Sequence, residues 1–257
     1  MAIASGITRS RRTKGDRRTD RPPLMLRAVR LQVLDAFALT VDGVPVEVAH
    51  PAQRLLALLA VKRHPLARGY VAGVLWLDHT EERAAGNLRS VLWRLRSIGH
   101  PVVDTRNGSL QLMPWVQVDL HEGIACAHRW LADEETREDR TAASAALEGE
   151  LLPDWYDEWV TDERERFRQL RLHALEVMAE RLAGSERWGD AVLAALAAVS
   201  ADPLRESAHR AVIKVHLAEG NVAEAIRQLH RCERLMIDEV GVPPSPSLAE
   251  LIRAGSP

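Results

Sequence analysis

Residues 87–97, NLRSVLWRLRS, place Leu88, Val91, Leu92 and Leu95 at helical spacing. Such spacing gives a helix one apolar side, which has to face a core. Ser90, Trp93, Arg94 and Ser97 then point away from that core, and Arg89 and Arg96 lie on the flanks. Directly afterwards come residues 102–112, VVDTRNGSLQL, two short apolar runs joined at Arg106-Asn107-Gly108. Asn-Gly is the strongest short signal for a tight hairpin, because both residues tolerate positive φ. The chain must therefore adopt a fold in which an arginine-bearing helix runs straight into a hairpin with an arginine at its tip.

That layout is the one found in a winged helix, where the helix enters the DNA major groove and the wing touches the backbone or the minor groove. Arginines on an exposed helix face also occur on ordinary solvated helices. The remainder of the chain has to separate the two readings.

Charge is strongly segregated along the 257 residues, although the whole chain carries only -2. Residues 1–23 hold seven basic and two acidic side chains, residues 24–118 eleven and seven, and residues 119–257 sixteen and twenty-seven. A basic front and an acidic back suggest that only the front meets a polyanion, while the back serves protein contact or plain solubility. Residues 1–23 read as a disordered basic tail able to add sequence-independent attraction to phosphates, or as a passive extension. The two cysteines, Cys126 and Cys232, form no CxxC pair, and no apolar run approaches the roughly 18 residues of a membrane helix. A reduced, cytoplasmic home with no membrane partner is expected.

From Ala28 the runs AVRLQVL and FALTV alternate as strands do, and Asp42-Gly43 turns into a third strand, PVEV, at 45–48. Pro51 opens a helix, PAQRLLALLAVKR, as proline does at a first helical position. Arg54 near its start reads as an exposed charge or a phosphate contact. A second helix over 69–77 turns Val71, Val74 and Leu75 inward, with Trp76 as a core anchor. The acidic link DHTEE at 78–82 leads into the arginine-bearing helix.

Beyond Val118 the pattern is almost wholly helical. Residues 121–133 are amphipathic, and residues 141–147 lead to LEGELLPDWYDEWVTDERERF, where Trp155, Tyr156 and Trp159 read as core and interhelix packing. Asp190-Ala191-Val192 and Glu224-Ala225-Ile226 stand 34 residues apart, the tetratricopeptide period. Ala195 pairs with Leu229, and Ala174 and Val177 with Ala208 and Ala211, on the same offset, and Pro203 follows Ala191 by twelve. Helix hairpins stacked this way bury small residues between them and leave a concave surface.

The amino-terminal sheet, the Leu-rich helix, the LW pair ending the second helix, the NLRSVLWRLRS helix and the wing together resemble the OmpR-type winged helix, in the version of the SARP family of actinobacterial regulators of antibiotic biosynthesis genes. Val118-Asp119-Leu120, the LEGELLPDWYDEWVTDERERF stretch and the ending LMIDEVGVPPSPSLAELI resemble that family's bacterial transcriptional activator domain. The sequence departs from the family at the return strand of the wing, where Gly108-Ser109-Leu110 has no tyrosine. The resemblance implies a mainly α fold in three parts: a tail at 1–23, a winged-helix DNA-binding domain at 24–118, and a tetratricopeptide-like activator domain at 119–257.

Chemistry for catalysis is not visible. Lys14-Gly15, Lys62-Arg63 and Lys214-Val215 exclude a P-loop, and there is no HExxH, GxSxG or dinucleotide fingerprint. His121, Cys126 and His128 lie close, and His209 and His216 share a helical face, but zinc sites need about four ligands at tight spacing. No cofactor and no metal are expected, and His209 and His216 read as packing or surface residues.

The expected function is sequence-specific DNA binding in transcriptional activation. Arg89, Arg94 and Arg96 would make groove and phosphate contacts, and Asn87, Ser90 and Trp93 base-edge contacts. Arg83 and Arg106 would position the protein on phosphates, with Ser97 and Asn107 completing the surface. Resemblance further implies double-stranded promoter DNA with direct repeats as the target, a side-by-side homodimer on it, and recruitment of RNA polymerase and its sigma factor. Two rivals stay open: a helical-repeat interaction scaffold that has lost DNA, and a ligand-sensing regulator whose repeat groove holds a small molecule or peptide.

Overall fold

In the computed structural model, which describes residues 28–136, 139 and 145–255, strand β1 (Val29–Gln32) buries Val29 and Leu31 and exposes Arg30 and Gln32. It pairs antiparallel with β2 (Ala38–Val41), Val29 opposite Val41 and Leu31 opposite Leu39. Asp42 and Gly43, with φ of 53 and 78°, turn the chain into β3. That strand covers Val44–Pro45 alone, shorter than the expected 45–48, although Val46 N still donates to the Leu39 carbonyl at 2.8 Å.

Helix α1 (His50–Lys62) carries Pro51 in its first turn, where a missing N–H costs nothing. Every residue from Leu55 to Val61 is buried, so this helix is surrounded rather than amphipathic. Strand β4 (Leu66–Ala67) leads to α2 (Arg68–Leu75) and then to α3 (Glu81–Arg96). Trp76 closes α2 half-buried against the core, and Leu77 lies beyond it, 77 % exposed. Strands β5 (Val103–Asp104) and β6 (Ser109–Leu112) form the hairpin, Val103 opposite Leu112, with a single 3-10 turn at Arg106–Gly108. Strand β4 adds to β6, which anchors the hairpin to the helices.

Strand β7 (Val116–Val118) runs back and joins β1 in parallel, Val29 beside Val116 and Leu31 beside Val118. Asp119 follows it and opens α4 (Asp119–Ala132), while its carboxylate accepts from the N–H groups of Val33 at 2.9 Å and Leu34 at 3.0 Å. Burial pushes that carboxyl up, against the pull of the backbone donors, which favour the charge.

After the short α5 (Ala145–Glu148) come α6 (Glu158–Gly184), α7 (Trp188–Ala201), α8 (Glu206–Ala218), α9 (Val222–Val240) and α10 (Pro246–Gly255). Most of the residues on the 34-residue offset are packed inside: Ala174 and Ala208, Ala191 and Ala225, Ala195 and Leu229 are all buried, while Val177 is half-buried and Ile226 is exposed. Small side chains at these positions let neighbouring helices approach closely. His209 is buried completely, its Nε2 2.8 Å from the Pro203 carbonyl and its Nδ1 2.8 Å from the Gln228 amide nitrogen.

One hydrophobic core spans both halves. It joins Leu34, Leu55 and Leu59 to Leu151, Leu152, Trp159, Val160 and Phe167. Around it, Leu34 and Leu151 form an isolated β-bridge, Lys62 pairs with Glu163 at 3.0 Å, and Arg54 binds Asp157 through Nε at 3.1 Å and the Leu75 carbonyl at 2.7 Å. Arg54 is thus neither a free surface charge nor a phosphate contact, because a carboxylate 103 positions away has taken its guanidinium. Tyr156 also departs from expectation: Trp159 is buried and Trp155 half-buried, but Tyr156 is 90 % exposed. The basic tail at 1–23 and residues 141–144 lie outside the described residues.

Candidate nucleic-acid interface

Helix α3 is built to stand on the surface by one side. Thr80 caps it, its hydroxyl accepting from Arg83 N at 3.5 Å, and Glu81 and Glu82 in the first turn suit the positive end of the helix dipole. Arg94 and Arg96 in the last turn suit the negative end. Ala84, Leu88, Val91, Leu92 and Leu95 fill the buried side.

The opposite side carries the residues singled out from the sequence. Arg83, Ser90, Arg94 and Ser97 recur at intervals of seven, four and three, so they form one stripe along the helix, with a half-buried Asn87 in the same line. Arg89, Trp93 and Arg96 form a second, parallel stripe. Trp93 is 72 % exposed, an unusual place for an indole that no neighbour covers.

Both serines have their protons committed. Ser90 Oγ donates to the Gly86 carbonyl at 3.1 Å and Ser97 Oγ to the Arg94 carbonyl at 2.6 Å. Each hydroxyl therefore keeps acceptor capacity only, which suits a base amino group rather than a carbonyl. Ser97 sits at the helix end, where its backbone N–H also binds the Arg94 carbonyl at 3.0 Å.

The arginines of α3 stand out by what they do not touch. Among the described residues, Arg83, Arg89, Arg94 and Arg96 form no ion pair with a carboxylate. In the helical half most arginines do: Arg129 with Asp139, Arg168 with Glu165 and Asp202, Arg181 with Asp133 and Glu135, and Arg205 with Glu176. Four unpaired guanidinium groups on one helix face give a local positive field, the arrangement that attracts a phosphate backbone.

The wing differs. Asn107 and Gly108 take φ of 55 and 73°, as an Asn-Gly turn requires. Arg106 at the tip folds back onto Asp104, with Nε at 2.9 Å and Nη2 at 2.7 Å from the carboxylate oxygens. Those bonds hold the Asp104 carboxyl well below the usual carboxylate range and raise the guanidinium in turn. The sequence pattern showed the arginine but not this neutralisation. It also passed over Arg68, which opens α2 without an ion-pair partner among the described residues and carries no motif to mark it.

Elsewhere the candidate ligand groups disperse. His121 Nε2 lies 2.6 Å from the Ala60 carbonyl, and Cys126 is buried with its thiol pushed up to about 11, first by burial. Among the described residues, no three His, Cys, Asp or Glu side chains come together as a metal site would need. No helix there is long and apolar enough to cross a membrane.

Residues 119–254 match the family described as "Bacterial transcriptional activator domain". The chain belongs to the bacterial transcriptional activator domain family. That family consists of transcriptional regulators, not enzymes. The chain is also 26 % identical over 235 residues to "Regulatory protein AfsR" of Streptomyces coelicolor, covering 87 % of this chain and 24 % of that protein. The Streptomyces griseus protein of the same name is 25 % identical over 246 residues, covering 92 % of this chain and 25 % of the relative. The chain thus spans about a quarter of the length of these curated relatives. Among solved structures, "Mycobacterium tuberculosis EmbR in complex with low affinity phosphopeptide" shares the fold, with a TM-score of 0.70 at 22 % identity over 90 % of this chain and 66 % of that one. This member of the bacterial transcriptional activator domain family is a SARP-type transcription regulator.

Proposed function

We propose that this regulator binds promoter DNA through α3 and the wing, and activates a secondary-metabolite gene cluster, such as one for an antibiotic. The carrying observation is the set of four unpaired arginines on the exposed face of α3. In this reading residues 24–118 form the DNA-binding domain and residues 119–257 the activator domain. Arg89, Arg94 and Arg96 enter the groove or its phosphate walls, and arginine can take guanine bidentately. Ser90, Ser97 and Asn87 accept from or bond to base edges, and Trp93 lies against them. Arg83 contacts phosphate, and Arg106 with Asn107 supports the wing. Two copies occupy a direct repeat and recruit RNA polymerase with its sigma factor, in the cytoplasm.

The test is selection of genome fragments by the purified protein at about 0.15 M salt, beside a variant carrying Arg94→Ala and Arg96→Ala. Recovery of a few promoter fragments sharing a repeat, lost in the variant, is the expected result. Equal retention of all fragments by both proteins would overturn it and favour the scaffold reading.

A further inference from the structure

Two surface features remain without a use in DNA binding, and each has the shape and charge that the other lacks. The first is the Tyr156 loop. Its tyrosine is 90 % exposed between the exposed carboxylates of Asp154 and Glu158, a setting that repels phosphate. The loop is nevertheless held firmly on both sides of the tyrosine. Trp155 stacks on Phe37, centroids 6.1 Å apart, and meets His50 edge-on at 5.4 Å. Arg54 holds Asp157 through Nε at 3.1 Å, and Arg164 donates to the Trp155 carbonyl at 2.8 Å. An aromatic side chain presented on a preorganised loop loses little freedom when a partner covers it, and covering it removes roughly 150–250 Å² from water.

The second feature is a groove of about 480 Å³ between α7 and α9. Leu196, Val199, Pro203 and Leu235 line it, together with Arg231, Arg234 and Asp238. Both arginines are exposed, and neither has a carboxylate partner among the described residues. The larger cavity on the opposite helices is different, since its Lys214 is paired with Glu180 at 2.5 Å and its Arg210 with Glu206 at 2.9 Å. The groove between α7 and α9 therefore offers an apolar slot with free positive charge, and it fits an aromatic flanked by carboxylates.

We propose that the Tyr156 loop of one copy of this chain seats in the groove between α7 and α9 of a second copy. The ring lies against Leu196, Val199 and Leu235, Asp154 and Glu158 face Arg231 and Arg234, and the phenol hydroxyl donates to Asp238. The contact joins two different patches, so it is heterologous and copies add head to tail in one orientation. It needs no DNA and stands apart from the DNA-binding reading above.

The experiment is sedimentation velocity of the full chain over a concentration series at low and high salt. It compares the wild type with Tyr156→Ser, Tyr156→Lys and a double variant carrying Arg231→Glu and Arg234→Glu. Wild type is expected to associate with rising concentration, less so at high salt, and each variant to associate roughly thirtyfold more weakly. An equimolar mixture of Tyr156→Ser and the double variant retains one good loop and one good groove, so it is expected to regain a one-to-one pair and stop there. Near-UV circular dichroism confirms the fold of each variant, and binding to a DNA fragment with a single half-site is expected to be unchanged. A wild type that stays monomeric across the concentration series, variants that associate like it, or a mixture that regains nothing would each overturn the proposal.

Discussion

The Arg106 guanidinium lies on the Asp104 carboxylate, Nη2 to Oδ2 at 2.7 Å, at the tip of the wing hairpin. The arginine that a sequence motif would assign to DNA therefore arrives with its charge already answered from two residues back. Asp104→Asn keeps an acceptor for Gln111 and removes the countercharge. The variant is expected to bind DNA more tightly with unchanged sequence preference, and the slope of log K against log salt is expected to steepen by about 0.9, the value for one added phosphate contact. Fluorescence anisotropy over a salt series measures both, and an unchanged slope would show that Arg106 stays off the phosphates.

Trp93, 72 % exposed, is expected to matter for binding and not for stability. Trp93→Ala should change unfolding free energy by no more than about 0.5 kcal/mol and still weaken operator binding. Arg94→Ala should reduce discrimination against a changed base by roughly 1–3 kcal/mol. Urea denaturation and competition binding read the two effects, and a destabilised Trp93→Ala with normal binding would remove that indole from the interface.

Gly149 marks a close approach between the halves. A Cβ there would lie 2.7 Å from the Leu34 Cβ and 3.2 Å from Asp35 Oδ2. The Leu34 Cβ is fixed to its backbone and cannot swing aside as the Asp35 carboxylate can, so Gly149→Ala is expected to cost about 1–3 kcal/mol. Because the core of the first half extends into the second through Leu151, Leu152, Trp159, Val160 and Phe167, tryptophan fluorescence and far-UV circular dichroism should report a single shifted transition. Two separated transitions would contradict that continuity.

His209 makes stability depend on pH. Burial lowers its pKa from the ordinary 6.5, so the folded protein holds the neutral ring, with Nε2–H donating to Pro203 and Nδ1 accepting from Gln228. The unfolded chain binds the proton more readily, so this stability is complete above about 6.5 and is lost as pH falls below it toward the folded pKa. His121, lowered in the same direction by burial, adds to the trend. Urea unfolding from pH 8 to 5, repeated with His209→Gln, is expected to give a shallower loss in the variant; equal slopes would assign the loss to other groups.

Much of the candidate site's surface was legible because its determinants are local. The period of Leu88, Val91, Leu92 and Leu95 marks the buried side of α3 and leaves the arginines outside. Asn107-Gly108 encodes its own turn through positive φ. The 34-residue offset of Ala191 and Ala225 marks the stacked helix pairs, since each repeat buries the same small residues. These patterns rest on neighbours a few positions apart, or on repetition.

Tertiary structure decided the rest. The parallel partnership of β7 with β1, 87 positions apart from Val29 to Val116, left no mark in three alternating residues. Arg54 and Tyr156 exchanged their expected environments, one claimed by Asp157 and the other left bare, because long-range contacts settle which side chains meet solvent. Even Arg106, two positions from its partner, is paired only through the bend of the hairpin. A sequence prescribes which faces are apolar, but the partner of a charge is fixed by geometry that forms only when distant segments close on one core.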